Sequence, residues 1–364
     1  MKFTEAQCFF LLGIANWCIF LNHIPSDVVS LLTLRKLGFS GPVDLLVFAA
    51  GYSAAVTYGT MVSERGLVVA ATRVWGRALR LYGAYLVLFA ANVAVIAYVA
   101  SRSSAPEIIQ EYHLLGIIDQ PFPILLHAML LQVGPSHLDV LKLLIELLAA
   151  FPLALWGLSR RPNLTLFASI AIYLLTYQFG WKLAAFPDGA WRFNPFSWQL
   201  LLVLGAWFAA TDTDQMPRFR DTWLWIPAMT YVLFAALITW AHDWPLGGLV
   251  PRFLVDLFTP KALEELTPYR IAHLIALLYL FTRVFPREWR EPDFRLLRPL
   301  LLCGEEWLPV FCTGVFLSLI AHIVLITGPN LVALQMTVSM AGLAAMTLVA
   351  YYVAWSRRQD RLRG

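Results

Sequence analysis

The run Cys8-Phe9-Phe10-Leu11-Leu12-Gly13-Ile14-Ala15-Asn16-Trp17-Cys18-Ile19-Phe20-Leu21-Asn22-His23-Ile24-Pro25 decides the fold. From Cys8 to Leu21 it carries no charge, and it ends on a histidine. A helix needs about 20 predominantly apolar residues, each rising roughly 1.5 Å, to cross a bilayer. Read as such a helix, the run delivers His23 to a membrane interface. An ionisable group at membrane depth is costly and is a functional candidate by default. Imidazole is also the side chain suited to moving protons near neutral pH.

The rest of the chain supplies the membrane. Of its 364 residues 59% are hydrophobic and 14% charged, and mean hydropathy is +0.67. Soluble domains carry about 25% charged residues. The composition therefore predicts an all-α, polytopic transmembrane helix bundle, a single domain over residues 1–364. Ten spans are expected: 7–24, 43–62, 81–100, 138–157, 164–180, 196–211, 223–241, 270–285, 307–327 and 331–355. The segment 121–133 is apolar but short and lies between prolines, so it reads as a re-entrant or interfacial piece. The first span reads as retained, because no A-x-A-like site precedes His23.

Positive charge tests the count. On one side fall Lys2; Arg65, Arg73, Arg77, Arg80; Arg160, Arg161; Arg218, Arg220; Arg283, Arg287, Arg290, Arg295, Arg298; and Arg357, Arg358, Arg361, Arg363. The other side holds only Arg35, Lys36, Arg102, Lys182, Arg192, Arg252, Lys261 and Arg270. The bias predicts that both termini face the cytoplasm. The net charge of +4 implies no nucleic acid, since the arginines flank spans. The four cysteines (Cys8, Cys18, Cys303, Cys312) lie in or beside apolar stretches and read as small buried hydrophobes.

Polar residues within or beside spans carry the chemistry. Asp44 opens the second span just after Pro42, where an acid favours a helix N-terminus. It can also approach His23 across the short connecting loop. Gly51, Ala54, Ala55 and Gly59 give that span a close-packing surface. Lys142 and Glu146, four apart, predict a structural ion pair. Glu305 and Glu306 precede the ninth span, either as an N-terminal acid cap or as carboxylates at a cytoplasmic entry. Arg270 and His273, three apart, share a face at the outward mouth, either to bind an anionic group there or simply as interfacial residues. His127 and His137 lie in the third loop and point to no chemistry. His23 itself is equally readable as a helix C-cap. No P-loop, dinucleotide fingerprint, H-E-x-x-H or G-x-S-x-G occurs, so ATP hydrolysis, metalloprotease and serine hydrolase readings have no support. No pair of broken-helix halves suggests a secondary transporter.

Several stretches together resemble a known family. Phe20-Leu21-Asn22-His23-Ile24-Pro25, Gly38-Phe39-Ser40 and Leu46-Val47-Phe48 with Gly51-Tyr52 open the resemblance. Pro135-Ser136-His137-Leu138-Asp139-Val140-Leu141 and Phe193-Asn194-Pro195-Phe196-Ser197-Trp198-Gln199-Leu200, with Gly205-Ala206-Trp207, continue it. Leu302-Cys303-Gly304 and Val310-Phe311-Cys312 close it. In this order they resemble OpgC-type proteins, a branch of the integral-membrane acyltransferase-3 superfamily.

The resemblance implies a multi-pass protein of the bacterial inner membrane that moves an acyl group, often from cytoplasmic acyl-CoA (succinyl-CoA for OpgC itself), onto a periplasmic glucan or other glycan. No metal and no bound cofactor are expected. The resemblance makes His23 the expected catalytic residue. A mechanism built on that has His23 as general base or transient acyl carrier, Asp44 holding its tautomer, and Asn22 or Asn194 facing the oxyanion. Substrate contacts are then expected at Asn194, Gln199, Arg35, Arg270 and His273. Donor contacts are expected at Arg73, Arg77, Arg80, Glu305 and Glu306, with Arg283 and Arg287 as further cations for CoA phosphates. Three polar positions depart from the family pattern. Leu12 stands where members have an arginine, an acidic pair is reduced to Gly41 and Asp44, and Glu305-Glu306 replaces a Gln-His or Gln-Asn pair. Arg35, Lys36 and Arg270 are the outward cations able to substitute for that arginine. The competing class is a catalytically degenerate scaffold, or a glycan or lipid carrier, on the same fold.

Overall fold

The computed structural model describes residues 3–24, 27–102, 121–211, 222–243, 250–258, 266–285, 296–329 and 331–363. Among them the architecture is helical. The helices are α1 (Glu5–Asn22), α2 (Pro42–Arg65), α3 (Leu67–Arg102), α4 (Pro121–Met129), α5 (Asp139–Arg160), α6 (Pro162–Phe179), α7 (Pro195–Ala210), α8 (Trp225–Asp243), α9 (Arg252–Phe258), α10 (Pro268–Val284), α11 (Arg298–Glu305), α12 (Trp307–Thr327) and α13 (Val332–Arg363). A helix overlaps each of the ten expected spans. Among the described residues six helices are long and apolar enough to cross a membrane by length and composition: α1, α2, α3, α8, α12 and α13. The segment 121–133 forms the nine-residue α4, too short to cross.

The chain divides into two compact units. One comprises 1–56, 204–262 and 266–364; the other comprises 57–203 and 263–265.

The first unit is organised around α1. Thr4 and Gln7 start α1 with a reciprocal capping box, which satisfies two backbone N–H donors at once. The Gln7 amide also donates to the Phe285 carbonyl at the end of α10 (3.0 Å), so both ends of this buried side chain are bonded. Ahead of the cap, Phe3 packs edge-on against Phe48 and Tyr52 of α2. Farther along, α1 meets α11 at two glycines. A Cβ on Gly304 would collide with the Phe9 carbonyl, and one on Gly13 with the Leu300 carbonyl. Small residues let helix backbones approach this closely. Gly205 of α7 abuts the Phe48 carbonyl of α2 in the same way. Gly304→Ala is therefore expected to destabilise the protein by about 1–3 kcal/mol, the usual cost of overpacking. An unchanged thermal midpoint in detergent would show that the α1–α11 contact yields easily.

The second unit pairs α3 with α5. Ala70, Val74, Ala78, Leu81, Tyr85, Leu88, Asn92 and Ile96 are buried on α3, a stripe of three- and four-residue steps that marks one helix face. The stripe begins well before residue 81. Arg73, Arg77 and Arg80 therefore ride on the helix, where a connecting loop was expected. The Trp75 indole donates to the Ala149 carbonyl at 3.0 Å, which sets them alongside the middle of α5. The Tyr85 hydroxyl sits 3.0 Å from both the Ala128 and Val133 carbonyls and holds the end of α4 to α3.

The Lys142–Glu146 pair does not form. Lys142 bonds Asp139 instead (2.6 Å), one turn toward the helix start, and its ammonium lies 5.6 Å from the Trp191 ring centre. Three- and four-residue steps both place side chains on one face. Asp139 wins because it belongs to the first turn, where an acid is also favoured by the helix dipole. The four cysteines are free thiols, Cys8 and Cys303 buried and Cys18 and Cys312 half-buried.

Candidate functional site

The site lies in the first unit, where α1 ends and α2, α10 and α13 begin. After Asn22 the helix stops, and the backbone N–H of His23 returns to the Ile19 and Phe20 carbonyls at 3.1 and 3.2 Å. The His23 side chain is half-buried. The chain then runs through two short 3₁₀ turns, Val28–Leu32 and Leu34–Lys36, before Pro42 starts α2. Polar contacts tie this connection down along its length. Asp27 is buried and accepts from the Val29 N–H (3.2 Å) and the Ser339 hydroxyl of α13 (2.8 Å). The Val28 N–H donates to Gln335 (3.2 Å). The Thr33 hydroxyl bridges Asn22 Oδ1 (2.8 Å) and the Ser30 carbonyl (2.7 Å). The Trp240 indole donates to the Lys36 carbonyl (2.9 Å).

The connection closes with two polar pairs between the entry to α2 and the first turns of α10. Arg270 Nη2 donates to Asp44 Oδ1 at 3.0 Å and Oδ2 at 2.8 Å. The two side chains are 4% and 1% exposed. Asp44 Oδ2 also accepts the Gly41 N–H at 2.6 Å. His273 is fully buried, and its Nδ1 accepts the Ser40 backbone N–H at 3.2 Å and meets the Ser40 hydroxyl at 2.7 Å. Gly38 allows this approach. It takes a φ of +147°, and any Cβ there would collide with His273 Nε2. Phe39, between Gly38 and Ser40, packs among Tyr231, Phe234, Phe258 and Tyr269. That aromatic cluster anchors the turn from the side.

The partner of Asp44 differs from the expected one. Its carboxylate is taken up by Arg270 and Gly41, so it bonds a cation rather than the His23 imidazole. The reason is electrostatic: a buried carboxylate requires a full counter-charge, which a guanidinium supplies and a neutral imidazole does not. Leu12, standing where the resemblance has an arginine, is 4% exposed and packed as part of the apolar core. Of the cations expected to substitute for that arginine, Arg35 is exposed, Lys36 half-buried, and Arg270 is buried in the pair just described.

Two expected substrate contacts have local work in the second unit. Asn194 caps α7: its Oδ1 accepts the Phe196 N–H (3.1 Å) and its amide donates to the Trp181 carbonyl (2.6 Å). Gln199 clips α7 to α6 through Ser169, accepting from its hydroxyl (2.6 Å) and donating to its carbonyl (2.8 Å). His127 stacks on Phe186 at 3.8 Å, and His137 is buried.

Of the expected donor contacts, Arg73 and Arg80 are exposed on α3 and Arg77 is half-buried beside them. Glu305 is exposed, whereas Glu306 is buried at the break between α11 and α12. Arg357 of α13 reaches its carboxylate at 2.9 Å. Burial pushes the Glu306 carboxyl above the ordinary range and Arg357 pulls it down. Near the same break the buried Asn16 donates to the Cys303 and Trp307 carbonyls at 3.3 and 3.1 Å; the first of these is among the last carbonyls of α11, which a helix C-terminus leaves without intrahelical partners. Arg283 is exposed and its guanidinium lies 5.2 Å from the Tyr279 ring centre; Arg287 lies outside the described residues.

Long apolar helices joined by a polar, internally bonded connection define a multi-pass helical membrane protein. Within that class the chain belongs to the OpgC family: the family model described as OpgC protein matches residues 6–358. No match was found among curated proteins or solved structures.

Proposed function

We propose that this protein is a membrane O-acyltransferase that modifies glucan. In this reading it moves an acyl group, with succinyl the first to test, from cytoplasmic acyl-CoA to a periplasmic glucan or related glycan. It works in a bacterial inner membrane, crosses the bilayer ten times and keeps both termini in the cytoplasm. The observation that carries the reading is a convergence. A chain matched to the OpgC family over residues 6–358 gathers its buried ionic pair, Asp44–Arg270, and its buried Ser40–His273 pair on the connection that leaves His23.

His23 is the general base for the acceptor hydroxyl. Thr33 fixes the Asn22 carbonyl oxygen, which leaves the Asn22 amide N–H groups to stabilise the oxyanion that forms as the hydroxyl attacks. Arg270, buried with Asp44, supplies the fixed positive charge that Leu12 does not. Arg73, Arg77 and Arg80 hold the donor phosphates. Guanidinium groups exposed beside the middle of an apolar helix are expensive against lipid and suit a polyanionic ligand.

The second reading is a degenerate OpgC-like scaffold or glycan carrier, and Leu12 in its apolar packing is the observation that favours it. Mass spectrometry of periplasmic glucans separates the two. A deletion strain is expected to lose an acyl substituent that returns with the wild-type chain; glucans of identical mass in both strains would leave the scaffold reading.

A further inference from the structure

We propose that Ser40 is an acyl-accepting nucleophile and His273 its base, so that the transferred group rests on the protein as an ester before it reaches the acceptor. This rests on the acyl-transfer reading above.

The geometry sets the proton positions. A backbone N–H only donates, so the Ser40 N–H at 3.2 Å makes His273 Nδ1 an acceptor. The neutral ring then carries its proton on Nε2, on the side of Gly38. The Ser40 hydroxyl, 2.7 Å from the same Nδ1, is left as a donor to an unprotonated nitrogen. That is the arrangement in which an imidazole activates a hydroxyl nucleophile. The ring is held in it from three directions: the Ser40 backbone, the Gly38 contact, and edge contacts with Phe39 and Tyr231 at 5.9 and 6.1 Å.

The surroundings suit the charge that would develop. Arg270 precedes His273 by three residues and Asp44 follows Ser40 by four, so the segments that hold the serine and histidine also hold the buried guanidinium and its carboxylate. Ser40 is 2% exposed, and exclusion of water protects an ester from hydrolysis.

The step balances. Ser40 Oγ bonds the thioester carbonyl carbon, and the carbon–sulfur bond breaks. The serine proton passes to His273 Nδ1 and from there to the leaving thiolate, which departs as free thiol. In the second half a glucan hydroxyl, deprotonated by His23, attacks the ester carbonyl. The departing Ser40 oxygen takes up that same proton from His23, so Ser40 and both histidines end as they began.

The test uses purified full-length protein in detergent or proteoliposomes with radiolabelled succinyl-CoA. The His23→Ala variant, slowed in the second half, is expected to carry label on the tryptic peptide that contains Ser40. Adding Ser40→Ala is expected to abolish that label. Ser40→Cys is expected to carry it as a thioester released by neutral hydroxylamine, and this variant keeps the question answerable if Ser40→Ala folds poorly. Glucan acylation by Ser40→Ala is expected to fall by about 10² to 10⁴-fold. Wild-type glucan acylation that Ser40→Ala retains within twofold overturns the nucleophile while leaving acyl transfer standing. So does a lack of label on both the His23→Ala and Ser40→Cys chains when the wild type acylates glucan. A wild type that transfers no label from succinyl-CoA to either itself or glucan overturns the donor reading and this inference together.

Discussion

Arg270→Leu is expected to lower stability by about 3–5 kcal/mol, the cost of leaving one member of a buried ion pair without its partner. Asp44 is the member stranded. Its side chain is 1% exposed, and its remaining hydrogen bond comes from the Gly41 N–H. A single amide does not offset the desolvation of a carboxylate. The entry to α2 and the first turn of α10 are also joined by this pair, so the Ser40–His273 contact should loosen with it. The complementary variant separates charge from shape. Replacing both residues together, Asp44→Leu with Arg270→Leu, removes the orphaned charge, and apolar replacement of a buried pair is often near neutral for stability. The double variant should therefore recover most of the lost thermal midpoint but not glucan acylation, because the fixed cation is still missing. If the single variant melts with the wild type, the pair contributes nothing to the fold. If the double variant acylates normally, Arg270 has no part in the chemistry.

How much of this was legible beforehand depends on the range over which each feature is encoded. A helix overlaps each of the ten expected spans, six of them long and apolar enough to cross a membrane, because apolar runs announce themselves locally. The start of α3 was missed because its arginines drew attention to the exposed face. The buried face, Ala70, Val74 and Ala78, steps by four residues among them and was the available signal. The partner of Lys142 was undecidable from spacing, since Asp139 and Glu146 both lie on its helix face. Asn194 sits directly before Pro195 and a helix, the position of an N-cap, so its capping role was readable; its link to Trp181 was not. The Asp44–Arg270 and Ser40–His273 pairs join residues 226 and 233 apart in sequence. No local periodicity specifies such partners. In Gly38-Phe39-Ser40-Gly41-Pro42 the glycines and proline mark a turn, but nothing local marks Ser40 as the partner of His273.

His23→Ala is expected to reduce glucan acylation by about 10² to 10⁴-fold, the usual contribution of a positioned general base. The same variant should fold. The residue ends α1 through its backbone N–H, which returns to the Ile19 and Phe20 carbonyls, and alanine retains that N–H. Its backbone angles, φ −85° and ψ −7°, suit alanine as well as histidine. Alanine removes a half-buried ring and, when that ring is charged, a helix-dipole contribution of about 0.3–1 kcal/mol, but leaves the backbone end of α1 in place. The thermal midpoint should therefore move far less than for Arg270→Leu. The contrast between the two variants distinguishes their roles: one loses the fold around a buried charge, the other loses proton transfer on an intact frame. Radiolabelled acyl transfer to purified glucan, run beside a thermal melt, reads both. Full transfer by His23→Ala would remove the histidine from the mechanism and leave it as a helix cap. A collapse in stability equal to that of Arg270→Leu would make its effect on transfer a consequence of folding.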